Sequence, residues 1–175
     1  KILTKLGRYS EAIKAYHQAI AINVNSDRVW QGKGEAFFAL GNFKKALESF
    51  DKAVSLVPKS YTSWRERGLV LSQEKRYPEA IFSFQKAIDI NPKDYKSWFG
   101  KGLALASLQQ SQEALIAFDR AAEIMPQDAS FWLERGSILA RLGKYAKACD
   151  SFERATTIDS RFSPAIETSK QLNCQ

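Results

Sequence analysis

The chain has 175 residues, 26 Lys and Arg against 19 Asp and Glu, a formal net charge of +7, and 45% hydrophobic residues. No run approaches the roughly 18 apolar residues needed to cross a bilayer, and no Gly/Ser-rich, Pro-rich or single-sign stretch marks a linker. One domain with an elongated core is expected, and the basic excess does not select nucleic acid, because acids interleave with bases as in Arg65-Glu66-Arg67.

In chain order, residues 1–26 read as the later part of a repeat unit, with Gly7, Ala12, Tyr16 and Ala19 in phase with Gly41, Ala46, Phe50 and Ala53. The chain opens on Lys1, inside a predicted helix and without an initiator Met, so a fragment of a longer protein is expected. Full units follow at 27–60, 61–94, 95–128 and 129–162. Each places a Trp at its fourth residue (Trp30, Trp64, Trp98, Trp132) and a Gly at its eighth (Gly34, Gly68, Gly102, Gly136). An Ala comes at the twentieth (Ala46, Ala80, Ala114, Ala148), a Phe at the twenty-fourth (Phe50, Phe84, Phe118, Phe152) and an Ala at the twenty-seventh (Ala53, Ala87, Ala121, Ala155). Pro58, Pro92 and Pro126 end three of the units, with Ser160 in the fourth.

Within a unit, apolar residues recur at helical spacing on either side of a short break such as Gly41-Asn42, and the proline stops the second run. Each unit is therefore predicted to be a helical hairpin, with small residues at fixed places to let neighbouring helices approach and Trp and Phe hidden between them. Residues 163–175 keep the phase weakly. They are expected to form a capping helix with Ala165, Ile166 and Leu172 on the hairpin and Glu167, Lys170 and Gln171 in water.

These places resemble the tetratricopeptide repeat, and the match spans nearly the whole chain. The resemblance implies an all-α fold, a right-handed α-solenoid of antiparallel helix hairpins. Departures are few: the seventh place, commonly Leu in the family, holds Lys33, Arg67, Lys101 and Arg135. The sixth alternates Gly32, Glu66, Gly100 and Glu134, so the unit also reads as a 68-residue doublet.

Cys149 and Cys174 lack metal-ligand spacing and are expected to be two separate thiols, one partly buried and one terminal. With no Asn-x-Ser/Thr acceptor in the chain, a cytoplasmic location is expected. His17 is the only histidine and falls on the solvent side of a second helix, which leaves no triad or His-rich metal site. Gly32-Lys33-Gly34 and Gly100-Lys101-Gly102 lie inside helices whose backbone N–H groups are already used, so they are not phosphate loops. Glu11, Glu79 and Glu113 recur just after a turn, as acids near a helix N-terminus do. No enzymatic activity, cofactor or metal is expected.

The resemblance further implies that first helices line a concave groove. Its inner places hold Arg28, Gln31, Glu35 and Phe38 in one unit, then Arg65, Glu66 and Leu69, then Lys96, Phe99 and Leu103, then Leu133, Glu134 and Arg141. Lys1, Thr4 and Lys5 extend the same face in the partial unit. Apolar anchors with a charged rim suit a peptide or protein segment, with the cations placed to meet acidic groups. The carboxylate clamp of the family's chaperone-binding members does not fit, since Gln31 and Glu35 hold its Lys and Asn places. An RNA- or nucleic-acid-associated basic solenoid and self-association through the N-terminal hairpin are the alternatives.

Overall fold

A computed structural model describes residues 2–161, 163–172 and 174. Lys1 and the side chain of Lys5, both read above as inner-face residues, lie outside them. The fold class is all-α, that of the α-solenoids, with no strand among the described residues.

The chain forms two compact units, residues 1–91 and 92–175. The first holds α1 (Ile2–Lys5), α2 (Tyr9–Ile22), α3 (Asp27–Ala39), α4 (Phe43–Leu56), α5 (Tyr61–Gln73) and α6 (Tyr77–Ile90). The second holds α7 (Tyr95–Ser107), α8 (Ser111–Ile124), α9 (Ala129–Arg141), α10 (Tyr145–Ile158) and α11 (Ser163–Gln171). Hairpins α3/α4 and α5/α6 pack together in the first unit, and α7/α8 and α9/α10 in the second. The first helices α3 and α5 also touch directly, as do α7 and α9.

Turn chemistry is periodic like the sequence. Gly7, Gly41, Lys75, Gln109 and Gly143 all take the left-handed conformation, with φ between 59° and 74°. The amide of Asn42 donates to the carbonyl of Phe37 and that of Gly41 to Phe38, which satisfies the last carbonyls of α3. Asn42 then caps α4 by accepting from the Lys45 amide at 3.2 Å.

The core is made of the small and aromatic template residues. Ala46, Ala80, Ala114 and Ala148 are fully buried, and Phe50, Phe84, Phe118 and Phe152 are at most 1% exposed. Each phenylalanine lies against its own unit's glycine: a Cβ on Gly34, Gly68, Gly102 or Gly136 would come within 2.5–2.8 Å of its ring. Burying each ring contributes on the order of 2–3 kcal/mol, which the glycine makes possible.

Two expectations need correction. The tryptophans are half-buried rather than hidden. Their indole N–H groups anchor them to the carbonyl that ends the preceding unit: Trp30 to Val24 at 2.7 Å, Trp64 to Pro58 and Trp98 to Pro92 at 2.9 Å, and Trp132 to Pro126 at 3.0 Å. A polar edge that needs a partner explains why the ring stays near the surface. The cysteines are not separate thiols. Helix α11 folds back on α10, bringing Cys174 to a Cα separation of 5.4 Å from Cys149, and the two form a disulfide. A sequence separation of 25 gave no hint of this.

On α11 and the turn after it, Ala165 is fully buried and Ile166 and Leu172 half-buried, while Glu167, Lys170 and Gln171 are exposed.

Candidate functional site

The residues expected to line an inner face sit on α3 and α5 in the first unit and on α7 and α9 in the second. On α3, Arg28 is exposed and Gln31, Glu35 and Phe38 are half-buried. Phe38 lies 5.7 Å from the ring of Phe43 and packs on the cluster of Phe37, Ala46, Phe50 and Val70. It therefore helps close its own hairpin. On α5, Arg65 and Glu66 pair with each other: Nη2 of Arg65 is 3.0 Å from Oε1 of Glu66, and both side chains are mostly shielded. Leu69 is half-buried beside them, and the hydroxyl of Ser72, one turn further, is buried without a hydrogen-bond partner.

In the second unit, Phe99 is a packing residue. Its ring centroid lies 4.8 Å from Phe131 and 5.7 Å from Phe118, so α7 is bound to α8 and α9 through it. Lys96 is exposed with its ammonium over the Tyr95 ring, and Leu103 remains 37% exposed. On α9, Leu133 and Glu134 are half-buried and Arg141 is exposed. Burial pushes the Glu134 carboxyl above its usual value, and the positive charge of Arg141 partly offsets this.

The opposite, second-helix face carries a feature that the sequence only hinted at in its alternating seventh place. Arg67 reaches Asp51 with its Nε at 2.6 Å and donates from Nη1 to the Ser83 hydroxyl at 2.7 Å. Arg135 does the same with Asp119 at 2.6 Å and Ser151 at 2.7 Å. Every step in both clamps spans 16 residues. One arginine thus ties three second-helix and first-helix turns together. At the corresponding places the other repeats carry His17, Lys33 and Ser49, and Gln85, Lys101 and Ala117. The 68-residue doublet is therefore an alternation of repeats that carry this arginine clamp and repeats that carry a lysine in the arginine's place.

Exposed ion pairs Arg8–Glu11 and Arg76–Glu79 sit just after turns and lower the carboxyls of Glu11 and Glu79, chiefly through the hydrogen bonds from the guanidinium groups. As expected, Glu11, Glu79 and Glu113 each stand in the first turn of a helix, α2, α6 and α8. Among the described residues, no group of three His, Cys, Asp or Glu side chains could hold a metal ion, and no helix is long and apolar enough to cross a membrane.

Family models described as "Tetratricopeptide repeat" match residues 2–61, 32–95 and 65–129, and residues 129–162. No curated protein matches the sequence. Among solved structures, the crystal structure of MamA is similar at a TM-score of 0.87 and 21% identity, covering 92% of this chain and 94% of that one. A MamA fragment from Desulfovibrio magneticus RS-1 is similar at 0.85 and 21% identity, covering 91% and 90%. The structure of YrrB, described as a TPR protein with an unusual peptide-binding site, is similar at 0.84 and 22% identity, covering 97% and 87%. At these identities the likeness is one of fold.

Proposed function

Because the chain belongs to the tetratricopeptide-repeat family, we propose that it is a non-catalytic scaffold, one repeat array over residues 1–175, that holds a peptide or protein segment on its first-helix face. The supporting observation is Leu103: a leucine 37% exposed on the inner place of α7, with the similarly placed Leu69 and Leu133 only half-buried. Apolar side chains left half-open among charged neighbours suit desolvation by a partner. Arg28, Lys96 and Arg141 are the exposed cations on that face and would meet acidic groups of the partner, whereas Arg65 already holds Glu66. YrrB, similar in fold, is described as having a peptide-binding site, which supports the reading by analogy.

Affinity capture with the wild-type chain and a Leu69→Ser/Leu103→Ser variant tests this. Phe38 and Phe99 are unsuitable probes because their loss would disturb packing. Loss of captured protein with unchanged circular dichroism supports the scaffold; equal capture by both overturns it.

Self-association is a second reading, favoured by the exposure of Ile2, Leu6 and Ile22 on α1, its following turn and the end of α2. Light scattering showing a monomer at all concentrations would remove it. As for location, a reducing cytoplasm would leave Cys149 and Cys174 as thiols, and an oxidising compartment would keep them joined. Thiol trapping in cells distinguishes the two.

A further inference from the structure

A pocket of about 180 Å³ lies among α2, α3 and α4 in the first unit, lined by His17, Trp30, Lys33, Phe37, Lys45, Glu48 and Ser49. It occupies the place where the clamps hold Asp51 to Arg67 and Asp119 to Arg135, but His17 stands where the acid should be. Among the described residues Lys33 makes no ion pair. Its ammonium rests 4.7 Å from the Trp30 ring centroid and 5.8 Å from that of Phe37, and the ammonium of Lys45 lies 5.5 Å from the Phe37 centroid.

Charge sets this pocket apart. Around Trp132 the matching pocket is balanced, with Asp119, Glu123 and Asp150 facing Arg135, Lys147 and Arg154. Around Trp64, Arg67 is met by Asp51 and Glu79. Here two lysines and a histidine share one acid, Glu48. The ammonium of Lys33 is pushed below its usual value by burial, then raised by Glu48 and lowered by Lys45. His17 is likewise lowered, by burial and then by Lys33 and Lys45. Cations gathered around aromatic rings with too few acids form a site that an anion would complete. Most of the chain's basic excess also lies in residues 1–91.

We propose that this pocket receives an aspartate or glutamate side chain from an acidic protein segment, its carboxylate standing on Lys33 and Lys45 as Asp51 stands on Arg67. The carboxylate supplied in cis to the clamped repeats comes in trans to this one. Ser49, whose hydroxyl donates to the Lys45 carbonyl at 2.7 Å, retains acceptor capacity for a lysine, as Ser83 and Ser151 accept from an arginine. The site is distinct from the first-helix face and does not depend on the scaffold reading above.

The test follows the indole N–H resonances of the full chain by NMR during titration with a blocked Gly-Asp-Gly peptide, a blocked Gly-Asn-Gly peptide and inorganic phosphate. Trp30, under Lys33 and bonded to the Val24 carbonyl, is the reporter. Gly-Asp-Gly shifts Trp30 while Gly-Asn-Gly does not. Lys33→Gln weakens the binding about tenfold, the equivalent of one charge-assisted hydrogen bond. His17→Asp supplies the missing acid from within and abolishes it without lowering thermal stability. Leu69→Ser/Leu103→Ser leaves it intact, which separates this site from the first-helix face. An unmoved Trp30 resonance, equal response to Gly-Asn-Gly, response to phosphate alone, or full binding by folded Lys33→Gln each overturns the proposal.

Discussion

Gly102 and Phe118 are packed so closely that a methyl group on the glycine would stand 2.6 Å from Cε1 of the ring. The ring is fully buried and has nowhere to swing. Gly102→Ala gains about 1 kcal/mol of helix propensity but overpacks this contact, at a cost of roughly 1–3 kcal/mol. The expected net effect is destabilisation, read from denaturant midpoints. Gly32→Ala is expected to be milder, because its neighbour is the hydroxyl end of the half-buried Tyr16.

Arg67 and Asp51 are expected to show a coupling energy of about 1 kcal/mol in a double-mutant cycle of Arg67→Ala and Asp51→Ala. The arginine is mostly shielded but the aspartate is half exposed, so the coupling should shrink in high salt. Arg67→Lys should lose most of it, since an ammonium cannot reach Asp51 and Ser83 with the same fork. A coupling near zero would remove the clamp as a stabilising device.

Lys75 and Gln109 adopt left-handed φ values of 59° and 61° at places where Gly7, Gly41 and Gly143 stand in the other turns. Lys75→Gly and Gln109→Gly are each expected to stabilise the chain by about 0.5–1 kcal/mol, because glycine takes this conformation without Cβ strain. Thermal melts of the two single variants check it.

Closure of the Cys149–Cys174 bridge fixes a loop of 25 residues' separation, and its reduction should cost about 3 kcal/mol. Amide exchange is expected to rise first in α11, and Cys149→Ser without reductant should reproduce the effect. Identical exchange in both redox states would argue against it.

Glu134 has a raised carboxyl pKa in the folded chain, with burial as the main cause. The folded state then binds a proton more readily than the unfolded state between the ordinary value and the raised one. The stability linked to this group is complete below the ordinary carboxyl range and is lost as pH rises through the folded value. Glu134→Gln is therefore expected to raise the melting temperature at neutral pH, with the gain fading on acidification. An equal gain at all pH values would assign it to something other than ionisation.

The repeat period, the hairpins and their boundaries, the buried Phe rings and the apolar side of α11 were all legible in residue order, because helical spacing and small-residue places recur with the same phase. What a single unit cannot state is how far its side chains reach into the next. The clamp of Arg67 on Asp51, the engagement of Phe99 with Phe131 and the closure of Cys149 on Cys174 join residues 16 to 32 positions apart. They were decided by tertiary structure, since distance in space depends on the stacking of helices and not on their order. The same stacking left Lys33 without the acid that Arg67 and Arg135 hold, a difference that His17 marks in sequence but only packing turns into a pocket.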